Sequence, residues 1–372
     1  MITDVLAASE RLTAFDPTIG RIPVRNVWLL MLYASELYRH LGHRRQGCED
    51  EPDRLPDLVA EILVHEVEQR LRWRLSQGFQ SRTAHLSRLR GRLDVLDTYC
   101  HNLLAKGRVA CRFEELSQDT PRNRYVKAAM LELAHRVTRK ELAHRCRALV
   151  RILTDFGVGN AHGRTVASSF PPSVRVEMRD QAMVAAARLA FELALPNDEM
   201  GDNWLQQAYR DETMMRSLFE KAVGGFYSVV LGDQGWKVSC GRPLWWKTCD
   251  ATEGIENLLP RMQTDIILES PGKTRMIVID TKFTYILTKG FYRLESFKSE
   301  HIYQLYSYLR SQENGGDSLV DTAEGLLLYP SVNSHVDESV TLQRHRVRLA
   351  TVDLAGSAVK MRQDLLAAVS LS

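Results

Sequence analysis

The stretch from Met262 to Lys282 constrains the fold more than any other part of this chain. It reads Met262-Gln-Thr-Asp265-Ile-Ile-Leu268, then a Pro271-Gly272 pair, then Met276-Ile-Val-Ile-Asp280-Thr-Lys282. Short apolar runs bounded by such a pair are the strands of a hairpin. The outer ends of the two strands then meet, so Asp265 approaches Asp280. Side chains alternate along a strand, which puts Asp280 and Lys282 on one face and Thr281 on the other. Asp280 follows four apolar residues and therefore sits where a strand leaves the core. An unpaired buried carboxylate is costly, and two close together repel. A divalent cation relieves both problems.

That pattern suits phosphodiester hydrolysis. Hard carboxylate oxygens take Mg2+, which polarises a phosphate and lowers the pKa of a bound water. A neighbouring lysine orients that water or stabilises the charge that builds up at phosphorus. Asp265 and Asp280 are thus the candidate metal ligands, and Lys282 completes the candidate catalytic set. The competing reading of the same three residues is a surface salt bridge at a strand end.

Two flanking features bear on the choice. Glu220 stands in Leu218-Phe-Glu-Lys-Ala-Val223, an acidic residue on an otherwise apolar helix. It is a candidate third metal ligand, or the group that orients a ligated water. The alternative is an exposed charge paired with Lys221 or Arg216. Downstream, Gln304 and Tyr308 lie four apart and share one helix face. They can hold the active-site carboxylate or a DNA phosphate, or be ordinary helix surface. The order is a Glu-bearing helix, a D strand, a DxK strand, a QxxxY helix and an apolar strand. It matches the αβββαβ core of PD-(D/E)XK nucleases.

A chain of 372 residues exceeds one ordinary core, so two domains are expected. The fold class is α+β: a mainly helical amino-terminal domain with a small β element over 1–200, then the nuclease core over 201–372. Residues 1–20 read as a loose lead-in. Helices are expected at Val24–Tyr38, Asp57–Leu75 and Val126–Val137, then through Leu153 and over Arg179–Leu195. Strands fall within Phe79–Leu116, and loops at His40–Pro56, Gly157–Pro172 and the boundary Pro196–Gly201. In the second half the pattern gives a helix over Thr213–Leu231, in which Gly224 and Gly225 permit close packing. It continues with strands at Trp236–Ser239, Gln263–Leu268 and Arg275–Lys282, a helix at Ser299–Leu309 and a strand at Gly325–Tyr329.

Net charge is only +3, so a DNA surface requires local clustering, for which Arg82, Arg88, Arg90 and Arg92 are the candidates. Neither a secretory signal nor a membrane-spanning run is read in the sequence. The six cysteines form no CxxC pair, which argues against a cysteine-based zinc cluster and for reduced thiols in a cytoplasmic protein.

The chain also resembles a known family, McrC, the nuclease subunit of McrBC modification-dependent restriction systems. The resemblance runs from about Ile22 to the last helix. It is carried by Ile22-Pro-Val-Arg-Asn26 with Leu29-Leu-Met-Leu-Tyr-Ala34, and by Gly91-Arg92, Phe113, Asp119-Thr120 and Asn123-Arg124. Most specific are Asn257-Leu-Leu-Pro-Arg-Met-Gln-Thr-Asp265 and Val278-Ile-Asp280-Thr-Lys282. Ile302-Tyr-Gln-Leu305, Tyr308-Leu309 and Gly325-Leu-Leu-Leu-Tyr-Pro330 follow. The resemblance implies that Asp265, Asp280 and Lys282 are catalytic. It also implies a partner, a hexameric AAA+ GTPase ring of McrB type that reads methylcytosine in double-stranded DNA. In the family, GTP hydrolysis on that ring is stimulated by McrC, and translocation on DNA triggers cleavage.

This chain carries no GxxxxGK[ST] loop, so no nucleotide site of its own is expected. Phe79–Phe113 is the candidate segment for entering the ring, with a small closing sheet as the alternative. Val24–Tyr38 reads as core, and Asp119 and Asn123 as a helix cap and a packed polar contact. Double-strand cutting needs two active sites, which implies pairing of nuclease subunits. Where the family has DAK this chain has DTK, and Thr281, pointing away, is expected to matter little. Two other functions stay open: a stand-alone repair or restriction nuclease on the same core, and a non-catalytic adaptor that only activates an NTPase.

Overall fold

The computed structural model describes residues 22–41, 54–160, 176–194, 212–246, 248, 250–255, 258–288, 296–313 and 316–370. The expected lead-in, most of the 40–56 and 157–172 loops and the expected boundary at 196–201 lie outside the described residues. The chain divides into two compact units, one spanning 56–191 and the other formed by the segments up to residue 55 and from residue 192 onward. Residues 22–41 thus pack with the carboxy-terminal half.

In chain order the principal elements are α1 (Val24–Ala34), α2 (Leu55–Trp73), β1 (Gly78–Leu86), β2 (Arg92–Leu93), α3 (Val95–Cys100) and β3 (Val109–Ser117). Then come α4 (Pro121–Arg136), α5 (Lys140–Asp155), α6 (Gln181–Ala194), α7 (Glu212–Val230), β4 (Lys237–Leu244), β5 (Met262–Glu269) and β6 (Met276–Thr281). The last are α8 (Ser299–Gln312), β7 (Glu324–Ser331), β8 (Asp337–Leu342), β9 (His345–Asp353) and α9 (Ala358–Val369). The expected helix over Val24–Tyr38 breaks at Ser35, whose extended backbone ends α1. Pro271-Gly272 makes the expected turn, with Gly272 at positive φ. Among the described residues no helix is long and apolar enough to cross a membrane.

The 56–191 unit is mainly helical with one small antiparallel sheet, ordered β1-β3-β2. Its helices are tied by a buried charge. Asp180 is fully buried and receives Arg70 at 2.7 Å, Ser76 Oγ at 2.8 Å and Arg122. A buried carboxylate persists only when paired in this way. Thr120, rather than Asp119, caps α4, its hydroxyl accepting from Asn123 N at 3.1 Å, and Pro121 takes the first helical position as helix starts favour. Asp119 instead pairs with Arg124 and accepts from Gly159 N at 2.8 Å. These donors pull its carboxyl down to about 2, the Arg124 hydrogen bond first. Asn123 is the packed polar contact, donating to Ser76 O at 2.9 Å and Gln118 O at 2.7 Å.

The other unit is built on a six-stranded mixed sheet, ordered β8-β9-β7-β6-β5-β4. β4, β5 and β6 form an antiparallel meander. β7 joins β6 in parallel after the α8 crossover, and β9 continues in parallel beyond it. Every residue of β6 is buried, as befits a central strand covered on both faces. The element order α7-β4-β5-β6-α8-β7 reproduces the αβββαβ arrangement expected from the sequence.

α7 is the helix against which the amino-terminal segment packs. A side chain at Gly225 would run into the Tyr33 carbonyl of α1, and one at Gly224 would lie 2.8 Å from Cys240 Sγ on β4. Two helix-weakening residues are therefore kept where backbone and strand approach closely. Tyr33 and Phe226 stack at 5.1 Å between ring centroids. Asn26, fully buried, donates to the carbonyls of Leu354 at 2.8 Å and Gly356 at 2.9 Å. That bond pair ties the Ile22–Asn26 segment to the turn before α9.

Candidate active site

The β5–β6 register pairs Ile266 with Ile279, so the next residues outward, Asp265 and Asp280, face each other where the strands separate. Asp280 is 2% exposed and Lys282 6%. Lys282 Nζ lies 2.8 Å from Asp280 Oδ2 and donates to Gln304 Oε1 at 2.8 Å. Gln304 in turn donates to the Tyr308 hydroxyl at 2.6 Å. Lys282 N donates to Leu328 O at 2.9 Å, which fixes its backbone to β7. The ammonium is thus held from two sides, by a strand and by a helix. Such a cross-brace confines a side chain that otherwise samples many rotamers.

Burial pushes the Asp280 carboxyl up to about 6, and the Asp265 charge adds to the rise against the pull of Lys282. Glu220 on α7 is raised too, first by burial and then by the Asp265 charge, with Arg216, Lys221 and Lys282 opposing. Phe219 beside it meets Phe283, one residue beyond Lys282, edge to face with ring centroids 5.9 Å apart. The structure therefore brings Asp265, Asp280, Lys282, Gln304 and Tyr308 into one linked group and sets Glu220 within range of its field. The Asp265 charge raises the proton affinity of both Asp280 and Glu220, and three carboxyl groups so placed are a hard-oxygen donor set of the kind that suits Mg2+.

Thr281 is where the sequence expectation fails. Its backbone N–H and its hydroxyl both donate to Asp265 Oδ2, at 2.6 Å and 2.7 Å. It is 2% exposed. Alternation does turn its side chain off the Asp280 face, but Thr281 is the last residue of β6, where β5 diverges. The Asp265 carboxylate reaches round that end and takes both donors.

Sequence reasoning did not assign His301 and Tyr329 to this neighbourhood. His301, three residues before Gln304 on α8, makes a 3.0 Å hydrogen bond between its Nδ1 and the Tyr329 hydroxyl. Burial and then the Lys282 charge bring His301 down to about 4, so it is neutral at pH 7. Its position in the repeat His301–Gln304–Tyr308 was the available signal. The charge of exposed Arg216 also acts on Asp280, Glu220, His301 and Tyr308.

Over residues 8–330 the chain matches the family model of the McrBC 5-methylcytosine restriction system component. It is 25% identical to the type IV methyl-directed restriction enzyme EcoKMcrBC of Escherichia coli K12, over 93% of this chain and 96% of that one. Among solved structures it is similar to a half-complex of Thermococcus gammatolerans McrB AAA+ hexamers with bound McrC. That likeness has a TM-score of 0.40 and 15% identity, and covers 84% of this chain and 68% of that one. A second similarity is to the T. gammatolerans McrBC complex, with a TM-score of 0.35 and 18% identity over 55% and 57% of the two chains. With a family model matched over most of its length, this chain belongs to the McrBC 5-methylcytosine restriction system component family.

Proposed function

We propose that this chain is the Mg2+-dependent endonuclease subunit of a McrBC-type restriction system, with a PD-(D/E)XK active site. It cuts double-stranded DNA carrying modified cytosine, in the cytoplasm, when engaged by a AAA+ GTPase ring of McrB type whose hydrolysis it stimulates. The observation that carries the reading is the Asp280–Lys282 pair, 2.8 Å apart and almost fully buried, at a strand end opposite Asp265. A pair worth only surface charge does not need burial, whose desolvation cost a plain salt bridge seldom repays.

Asp265, Asp280 and Glu220 would hold the cation, which when bound polarises the scissile phosphate and acidifies a water. The chain's own residues do the rest. Lys282, positioned by Asp280 and Gln304, presents its ammonium where negative charge develops on phosphate oxygens. Tyr308 holds Gln304 in the rotamer that faces Lys282. Thr281 fixes Oδ2 of Asp265 and so orients the carboxylate that would help to hold a cation. His301, neutral, keeps a second positive charge away from Lys282.

Family membership supports the ring partner and the methylcytosine specificity. The 56–191 unit offers a surface for docking on that ring. Phe79 (73% exposed), Leu96 (79%), Tyr99 (79%) and Leu104 (63%) all lie in or beside the β1–β3 module, an apolar exposure that solvated surfaces seldom keep without a partner. Two nuclease units pair to cut both strands.

The test is cleavage of methylated duplex DNA with Mg2+, first by this chain alone and then with a AAA+ partner and GTP. Cutting only with both partner and nucleotide is expected. Robust cutting by the chain alone would keep the site and refute the partner dependence.

A further inference from the structure

We propose that His85, Asp97 and His101 form a site for a borderline transition-metal cation such as Zn2+ on the β1–β3 module. This site is independent of the carboxylate centre and of the proposed nuclease reading. His85 Nε2 lies 2.9 Å from Asp97 Oδ2, and His101 Nδ1 lies 2.8 Å from Asp97 Oδ1. The three side chains offer ligand atoms all within 4.8 Å of one another. A tetrahedral zinc site with bonds of about 2.0–2.2 Å separates its ligand atoms by roughly 3.4 Å. Side-chain rotations of about an ångström therefore convert the present cluster into a three-ligand site. Two imidazoles and one carboxylate select Zn2+, Co2+ or Ni2+ over Mg2+, which prefers oxygen ligands throughout.

The backbone that carries these groups is already fixed. Asp97 and His101 are four apart and share one face of α3 and its C-cap. Asp94 caps α3 by accepting from Asp97 N at 3.1 Å and pairs with Arg112 on β3 at 2.6 Å. Thr98, 3% exposed, donates to Asp94 O at 2.6 Å and accepts from Ala110 N at 3.0 Å. Ala110 is the register partner of His85. The helix turn bearing two ligands is thereby tied to the strand pair bearing the third. His85 and His101 keep 38% and 61% of their side-chain surface exposed. That exposure leaves a fourth coordination position for water or for a partner's side chain, and a route for the ion. A bound cation would pin α3, with exposed Leu96 and Tyr99, to β1.

The competing account is that Asp97 simply bonds two imidazoles and takes no metal. The full chain, stripped with chelator, is titrated with Zn2+ and Co2+ beside His85→Ala and His101→Ala, with bound metal counted after gel filtration. Because the histidines are exposed, both variants should fold, which circular dichroism checks. The wild type should hold one more equivalent than either variant, or bind it at least about tenfold more tightly, and show a Co2+ absorption band of low coordination number. Amide exchange over 95–101 should slow on adding Zn2+ in the wild type alone. Equal metal content in all three proteins, or no retained metal, would overturn the site.

Discussion

Replacing Thr281 with Val removes one hydroxyl and keeps shape, volume and strand propensity. The structure gives Asp265 Oδ2 two donors from this residue, the amide at 2.6 Å and the hydroxyl at 2.7 Å. Val keeps the first and deletes the second. A hydrogen bond to a charged group is worth about 1.5–3 kcal/mol. Asp265 is only half-buried, so water replaces part of that, and about 1 kcal/mol is the expected net loss. In a chain of 372 residues, that lowers Tm by only about 1–2 °C. The same free energy, taken from the orientation of a carboxylate proposed to bind metal, should raise the Mg2+ midpoint for cleavage about fivefold. The assay is a Mg2+ titration of cleavage at fixed partner and GTP, with thermal unfolding alongside. Thr281→Ser, which restores the hydroxyl, should return the midpoint to the wild-type value. A Thr281→Val titration superimposable on wild type would refute the reasoning, as would a Ser variant as impaired as Val.

Other expectations follow from the same geometry. Lys282→Met should reduce the cleavage rate by at least about a hundredfold while leaving metal binding near normal, as calorimetry with Mg2+ would show. In Mg2+-free buffer Asp280 should make stability depend on pH. Its folded pKa of about 6 exceeds the ordinary carboxyl value, so the native state keeps a proton that the unfolded state has lost. Its contribution is therefore fully present below about pH 4 and lost by pH 6–7, on the order of 2–3 kcal/mol in all. Denaturant curves for Asp280→Asn should lack that decline, and a parallel decline in the variant would assign it to other groups. Gly225→Ala forces a methyl against the Tyr33 carbonyl and should cost about 1–3 kcal/mol, read as a lower denaturant midpoint. Asn26→Ala removes two buried hydrogen bonds to the turn before α9 and should cost about 2–3 kcal/mol. The same midpoint checks it.

Much of the geometry of the candidate site was legible because it is local. Asp265, Asp280 and Lys282 lie on adjacent hairpin strands, and a strand's period of two is enough to align them. Gln304 and Tyr308 were readable from helical spacing alone. Thr281 was misjudged because alternation describes the middle of a strand, whereas the Asp265 carboxylate meets it at the end of β6. β8 and β9 were not foreseen beyond the apolar β7. β8 is almost wholly exposed, so its Asp-Glu-Ser-Val-Thr-Leu text carries no burial pattern. The packing of α1 on α7 depends on contacts nearly two hundred residues apart, which periodicity cannot reveal. Gly225 was its local trace, read together with Gly224 as close packing without a partner. The His85–Asp97–His101 cluster went unread for a similar reason, because a strand and a helix turn supply it and no cysteine spacing marks it.

In the proposed function the buried Asp280 belongs to a cleaving centre and not to the scaffold. Asp280→Ala, assayed with partner, GTP and methylated DNA, tests it most directly when cleavage and GTP hydrolysis are followed in one reaction. Cleavage should be abolished while stimulation of the partner's GTPase stays at the wild-type level. Retained cleavage, or loss of both activities together, would contradict it.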